Sequence, residues 1–350
     1  MAPVIAALKA QEWAQTRVLA TAQHRRLLDQ VFSFFKIRAD IDLNIMKPNQ
    51  GLTELTARLL IEAEKVLTDE KPDIVLVQGD TTTVMALTLA CFYHRIAVGH
   101  VEAGLRTWDM QNPFPEEANR VIAGKLATWH FAPTETSRQN LLRDGMKDSS
   151  IHVTGNTVID ALLHTAAQDH PLPFEIEAGR RMVLITAHRR ENFGEPFLRI
   201  IQALVDLALA NPAVKFVYPV HPNPNVYALA HERLSSLPNM LLCEPLEYAP
   251  FVAAMKRSTL ILSDSGGVQE EAPALGKPVL VLREETERPE AVEMGVVKLV
   301  GSDLNKIVAT TQQLLDDPAA YAQMARGVSP YGDGRASQRI VSVLKRFAEA

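Results

Sequence analysis

The feature that most constrains this chain is a repeated change of texture. Short apolar runs, each closed by a glycine, a proline or a polar cluster, alternate with helix-length stretches along the sequence. Runs at 17–22, 73–78, 96–101, 129–132 and 151–154 make a first series. Runs at 182–186, 215–220, 239–242, 259–262, 278–282 and 296–300 make a second. Continuous apolar strands are what parallel sheets bury on both faces, and strands alternating with helices give right-handed crossovers. The series pauses over 155–179, where His170-Pro171-Leu172-Pro173 has linker chemistry. The expected fold is α/β: two doubly wound, Rossmann-like domains facing a cleft. The expected divisions are 1–165, 166–332, and a C-terminal helix at 333–350 that packs back on the first domain. One oddity is that the chain opens with a helix, at 3–11, so the central first strand of the N-terminal domain is expected to be missing.

Composition narrows the class. The chain has 350 residues and a formal net charge of −5, with Lys and Arg scattered rather than massed. That argues against nucleic acid or an anionic membrane as partner and leaves room for a small anionic ligand. The two cysteines, Cys91 and Cys243, lie far apart in or beside apolar runs, as buried thiols in a reducing compartment do. No apolar run is long enough to span a bilayer, and no signal-peptide pattern opens the chain. A cytoplasmic protein is expected, with no metal and no cofactor.

In such sheets ligands sit at the carboxyl ends of the strands, and there this chain carries its polar clusters. Ser263-Asp264-Ser265-Gly266-Gly267-Val268-Gln269-Glu270-Glu271 follows the run at 259–262. A strand, a Gly-Gly turn and a helix start suit a diphosphate: glycines admit the backbone, and free N–H groups with the helix dipole hold the anion. Ser265 adds a hydroxyl, or simply caps the helix. Glu270 and Glu271, about one turn on, are placed to take a ribose. Asp80 ends the run at 73–78 and is either a helix cap or a carboxylate aimed into the cleft. Glu102 follows the next run, and Glu116 with Glu117 opens a helix, where the dipole alone explains an acid. Three convergent acids suit proton abstraction and return. His188 ends a second-domain strand, either to meet a phosphate or to act as an acid, or else as a packing histidine. Arg288 is placed to clamp an anion or to pair with Glu287 or Glu290.

Seven stretches stand in order along the chain: Gln78-Gly79-Asp80-Thr81-Thr82, Gly99-His100-Val101-Glu102-Ala103-Gly104, Pro115-Glu116-Glu117-Ala118-Asn119-Arg120, Gly155-Asn156-Thr157, His188-Arg189-Arg190-Glu191, Asp264 to Glu271, and Thr286-Glu287-Arg288-Pro289-Glu290. Together they resemble the non-hydrolysing UDP-N-acetylglucosamine 2-epimerases. The resemblance runs through the whole chain in order. It implies a GT-B-like fold with UDP on the second domain, and reversible conversion of UDP-GlcNAc to UDP-ManNAc for bacterial surface polysaccharide. In that chemistry UDP is eliminated and re-added through a 2-acetamidoglucal. By resemblance Asp80, Glu102 and Glu116 are the acid–base residues, and His188 stabilises the departing diphosphate. Ser265, Gly266 and Gly267 bind phosphate, Glu271 the ribose, and Arg288 the diphosphate or sugar. Phe251 and the backbone beside Leu246 flank uracil. Gln23, His24 and Arg25 lie near a possible second nucleotide-sugar site, and a homodimer is implied. Relatives open with a strand and a Gly-Thr-Arg-Pro-Glu-type loop, whereas Met1-Ala2-Pro3-Val4 falls just after such a loop. A truncated start is therefore expected, and with it loss of stability. The competing readings are a GT-B glycosyltransferase using a UDP-sugar, and a UDP-sugar-binding protein impaired by the missing Arg/Lys loop.

Overall fold

The computed structural model describes residues 1–21, 25–45, 47 and 50–349, with the backbone alone for 25–28. The chain falls into two compact units, Met1–Ala161 with Tyr331–Ala350, and Leu162–Pro330.

In the second unit six parallel strands form one sheet: β7 (Met182–Thr186), β8 (Lys215–Pro219), β9 (Met240–Cys243), β10 (Leu260–Ser263), β11 (Val279–Val281) and β12 (Val297–Leu299). Their order is β12-β11-β10-β7-β8-β9. The chain runs outward from β7 to β9, returns to lay β10 beside β7, and runs outward again on the other side. Strand order therefore reverses between β7 and β10, and a doubly wound sheet opens a ligand crevice at such a reversal. Every residue of β7, β10 and β11 is buried, because helices cover both faces. Each fully buried aliphatic there contributes about 1.5–3 kcal/mol of transfer free energy.

The first unit holds the strands β1 (Leu19–Ala20), β2 (Ile41–Asp42), β3 (Ile74–Gln78), β4 (Ala97–Val101), β5 (Trp129–Ala132) and β6 (Ile151–Val153). All pairings are parallel, but they form two sheets: β1 with β2, and β3-β4-β5-β6. Among the described residues no strand precedes the opening helix Ala2–Lys9, and β3 is paired on one side only. The apolar run of β3 reads as a strand buried on both faces, yet only Val77 is fully buried; Ile74, Val75 and Leu76 are half-buried. An edge strand has no neighbour to shield its second flank. The short β2 carries no apolar run and is not evident in the sequence.

The closing helix, Ala336–Ala348, lies against the opening one. Val4 packs with Ile340, Val343 and Leu344, beside Val101 and Phe131 of the sheet. Its first N–H groups are not capped by its own chain end. Asp160, a buried residue of the helix Thr157–Ala166, accepts from the backbone of Ala336 and Ser337 at 3.0 and 2.8 Å and from the Ser337 hydroxyl at 2.5 Å. That satisfies donors a helix start otherwise leaves open.

Candidate active site

In the first unit β3 and β4 pair with Gln78 opposite Val101, so the turns that follow them are neighbours. The turn after β3 passes through Gly79 at φ +82° and delivers Asp80. Its conformation is held by His100, whose Nε2 lies 2.7 Å from the Gly79 carbonyl and must donate to it. Burial lowers that imidazole's pKa to about 4, so it stays a neutral structural donor. Asp80 is not the cap of the next helix. Thr81 fills that role, accepting from the Val84 N–H at 3.4 Å. The Asp80 carboxylate meets Arg120 at 2.7 Å, and Asn119 donates to the Asp80 carbonyl at 3.0 Å. Glu102, after β4, has φ +63°. A left-handed glutamate costs about 1–3 kcal/mol and persists only where its surroundings impose it. Gln78 donates to its Oε2 at 3.3 Å.

The adjacent acids of the helix Glu116–Leu126 divide their labour. Glu117 is buried and receives the backbone N–H groups of Thr107 and Trp108 at 3.1 and 3.0 Å, with Arg120 at 3.1 Å. It staples the loop that precedes the helix. Glu116 is half-buried and makes no hydrogen bond or ion pair among the described residues. Arg120, four residues on and on the same helix face, ties this helix start to Asp80. Asp80, Glu102 and Glu116 thus come to one end of the four-stranded sheet. The sequence reading missed Arg120 and Asn119 as separate contributors, although their spacing after Glu116 was the available signal.

In the second unit the turns after β7 and β10 meet at the strand reversal. Thr186 and Ser263 join these strands by a 2.6 Å hydroxyl–hydroxyl bond. Asp264 is fully buried, and its Oδ2 accepts from the backbone N–H groups of His188 and Arg189, each at 2.8 Å, and from Asn192 at 3.2 Å. Ser265 occupies the cap position of the helix Gly266–Ala274, but its side chain makes no capping bond. A helix start without a side-chain cap carries a dipole that favours an anion. Arg288 lies over it: a Cβ on Gly266 would stand 2.7 Å from Arg288 Nη1. Arg288 Nε donates to Glu270 at 2.6 Å, and its Nη1 donates to Glu287 at 3.4 Å, one of the two pairings expected from the sequence. Glu271 curls back toward the same start, 3.9 Å from where a Gly267 Cβ would be. Burial, and then the neighbouring Glu270 charge, push its carboxyl up to about 8.

Tyr248 opens the helix Tyr248–Arg257, and its hydroxyl pKa is raised by burial and then by the nearby Glu271. Phe251, three residues on, shares that face and is half-buried. Leu246 lies half-buried in the loop after the edge strand β9. Gln23 and His24 lie outside the described residues, as does the side chain of Arg25. No cluster of metal-ligating groups occurs among the described residues. No described helix is long and apolar enough to cross a membrane.

Two parallel-sheet α/β units, one with a bare helix start at its strand reversal, define a GT-B-like α/β protein of the nucleotide-sugar class. Within that class the chain belongs to the UDP-N-acetylglucosamine 2-epimerase family, whose profile matches residues 6–345, and it is an isomerase. It is 53% identical to the UDP-N-acetylglucosamine 2-epimerase of Salmonella typhimurium over 99% of this chain and 95% of that protein. The crystal structure of UDP-GlcNAc 2-epimerase from Neisseria meningitidis bound to UDP-GlcNAc shares 51% identity and a TM-score of 0.90, covering 99% of this chain and 96% of that one. The S. aureus MnaA–UDP co-structure is 44% identical with a TM-score of 0.88, covering 100% of this chain and 93% of that one.

Proposed function

We propose that this chain interconverts UDP-GlcNAc and UDP-ManNAc by eliminating and re-adding UDP. One carboxylate of the first unit removes the C2 proton. The C–H electrons become the C1=C2 bond of a 2-acetamidoglucal, and the C1–O pair leaves with UDP. In the return step UDP oxygen attacks C1 while C2 takes a proton on the opposite face. Asp80, Glu102 and Glu116 are the acid–base residues. Ser265, Gly266, Gly267 and Arg288 hold the diphosphate, Glu271 the ribose, and His188 the charge that grows on the leaving group. Phe251 and the backbone beside Leu246 flank uracil.

One observation carries this reading: three carboxylates leave neighbouring strand and helix ends, while Thr81 and Glu117 do the capping and stapling there. A transferase that only moves a sugar to an acceptor has less need of such a set. The expected product supplies ManNAc-type sugars for surface polysaccharide, made in the cytoplasm by a homodimer. The test is proton NMR of UDP-GlcNAc with this chain in heavy water. UDP-ManNAc carrying deuterium at C2 is the expected outcome; conversion without deuterium uptake would exclude the mechanism, and no conversion would exclude the activity.

A further inference from the structure

We propose that Asp264 is a positioning residue for His188: its buried carboxylate takes the Nδ1–H of the imidazole and turns the Nε2–H toward the departing diphosphate. The proposal rests on the reading of His188 given above. Its geometric basis is an asymmetry within one carboxylate. Oδ2 is saturated by three donors, the backbone N–H groups of His188 and Arg189 and the Asn192 amide. Oδ1 is equally buried and has no hydrogen-bond partner among the described residues. A buried oxygen left without a donor is costly and calls for an explanation. His188 Nδ1 lies 3.8 Å from Oδ1. Moving the ring by about 1 Å brings that pair to bonding distance. The backbone bonds to Oδ2 already fix where the His188 main chain sits, so a side-chain rotation suffices.

The surroundings decide when the bond forms. His221, from the end of β8, stacks on the His188 ring with centroids 5.3 Å apart and planes 14° apart. The His221 Nδ1 accepts from the Asn223 N–H at 3.1 Å, so its own proton sits on Nε2. Arg189 adds a positive charge on the same turn. Glu191, one turn on, is bound to Arg283, and Tyr218 donates to the Ala187 carbonyl at 2.5 Å, so neither hydroxyl nor acid there is directed at the ring. Burial disfavours the imidazolium first; Asp264 favours it, and His221 and Arg189 oppose it, with the net effect downward. A diphosphate on the Nε2 side adds negative charge and tips this balance. The ring then takes a proton from solvent and stands between two anions, donating to Asp264 through Nδ1 and to the leaving group through Nε2.

The experiment uses ¹⁵N-histidine-labelled full-length protein, with the His188 signals assigned from His188→Gln. Wild-type protein saturated with UDP should hold both His188 nitrogens protonated to a pH about one unit above that of the free protein. Asp264→Asn keeps an oxygen for the two backbone N–H groups but offers His188 an N–H donor. It should abolish the UDP-induced rise and lower kcat about 10²-fold, with KM changed by no more than about threefold. The double variant His188→Gln/Asp264→Asn should be no slower than His188→Gln alone. An unchanged His188 response in Asp264→Asn, or additive losses in the double variant, overturns the proposal while leaving the role of His188 intact. If UDP produces no His188 response in wild type, both fall. Should Asp264→Asn fail to fold, the wild-type spectrum decides alone: a bare Nδ1 in the UDP complex overturns the proposal.

Discussion

The acids of the two units are held in opposite ways. Asp80, Glu102 and Glu116 are half-buried, on the turns after β3 and β4 and at a helix start, at one end of a four-stranded sheet whose edge is β3. Asp264, Glu270 and Glu271 are buried, at or just beyond the end of β10 in the interior of a six-stranded sheet. A group that must take a proton from carbon and return it needs reach and contact with substrate. A group that orders a phosphate or ribose needs fixed geometry, which central strands supply and edges do not. The first unit stores backbone strain at Glu102; the second stores electrostatic strain in an acidic pair relieved on one side by Arg288.

The sharpest way to break this comparison is Glu116→Gln. Glu116 has no partner among the described residues, so folding stability should stay within about 0.5 kcal/mol. C2 exchange should fall about 10²- to 10⁴-fold with UDP binding retained. Kinetics and a UDP titration on one preparation would check both; parallel loss of UDP binding would erase the division between units. Its neighbour should behave in reverse. Glu117→Gln removes the charge that pairs with buried Arg120 and leaves one oxygen where two backbone N–H groups each had their own, and urea denaturation should show a loss of about 3 kcal/mol or more.

In the second unit, Gly266→Ala should leave folding nearly unchanged while pushing Arg288 off the helix start. UDP affinity should weaken about tenfold, about 1.4 kcal/mol by calorimetry. The last effect is a slope. The Glu271 carboxyl is raised to about 8 from 4.5, so the folded protein binds its proton more tightly than the unfolded chain. Its contribution favours folding at low pH and is lost as pH rises from 4.5 to about 8. Without ligand, melting temperatures of wild type and Glu271→Gln should therefore diverge across that window, wild type falling. Parallel curves would mean that Glu271 is charged throughout.

Much of this was legible in the chain. The parallel α/β class, the bare turn at Ser265 and the strand-end acids follow from local pattern: apolar runs closed by polar clusters mean the same thing wherever they occur. Three things were not legible. The pairing of β1 with β2, apart from the four-stranded sheet, depends on a two-residue strand with no apolar signature. The cap at Thr81 rather than Asp80 depends on one residue of phase at a helix start. Arg120 reaches Asp80 across 40 positions, and Asp264 reaches His188 across 76.

The sequence by itself determined which residue types stand at the ends of strands, because period and punctuation act over a few neighbours. Only the tertiary structure decided which of two adjacent glutamates is structural and which stands clear, and which oxygen of Asp264 is already spoken for. Those outcomes depend on donors brought from distant turns, and burial makes each such donor decisive: away from water, a carboxylate is held by the partners the fold delivers.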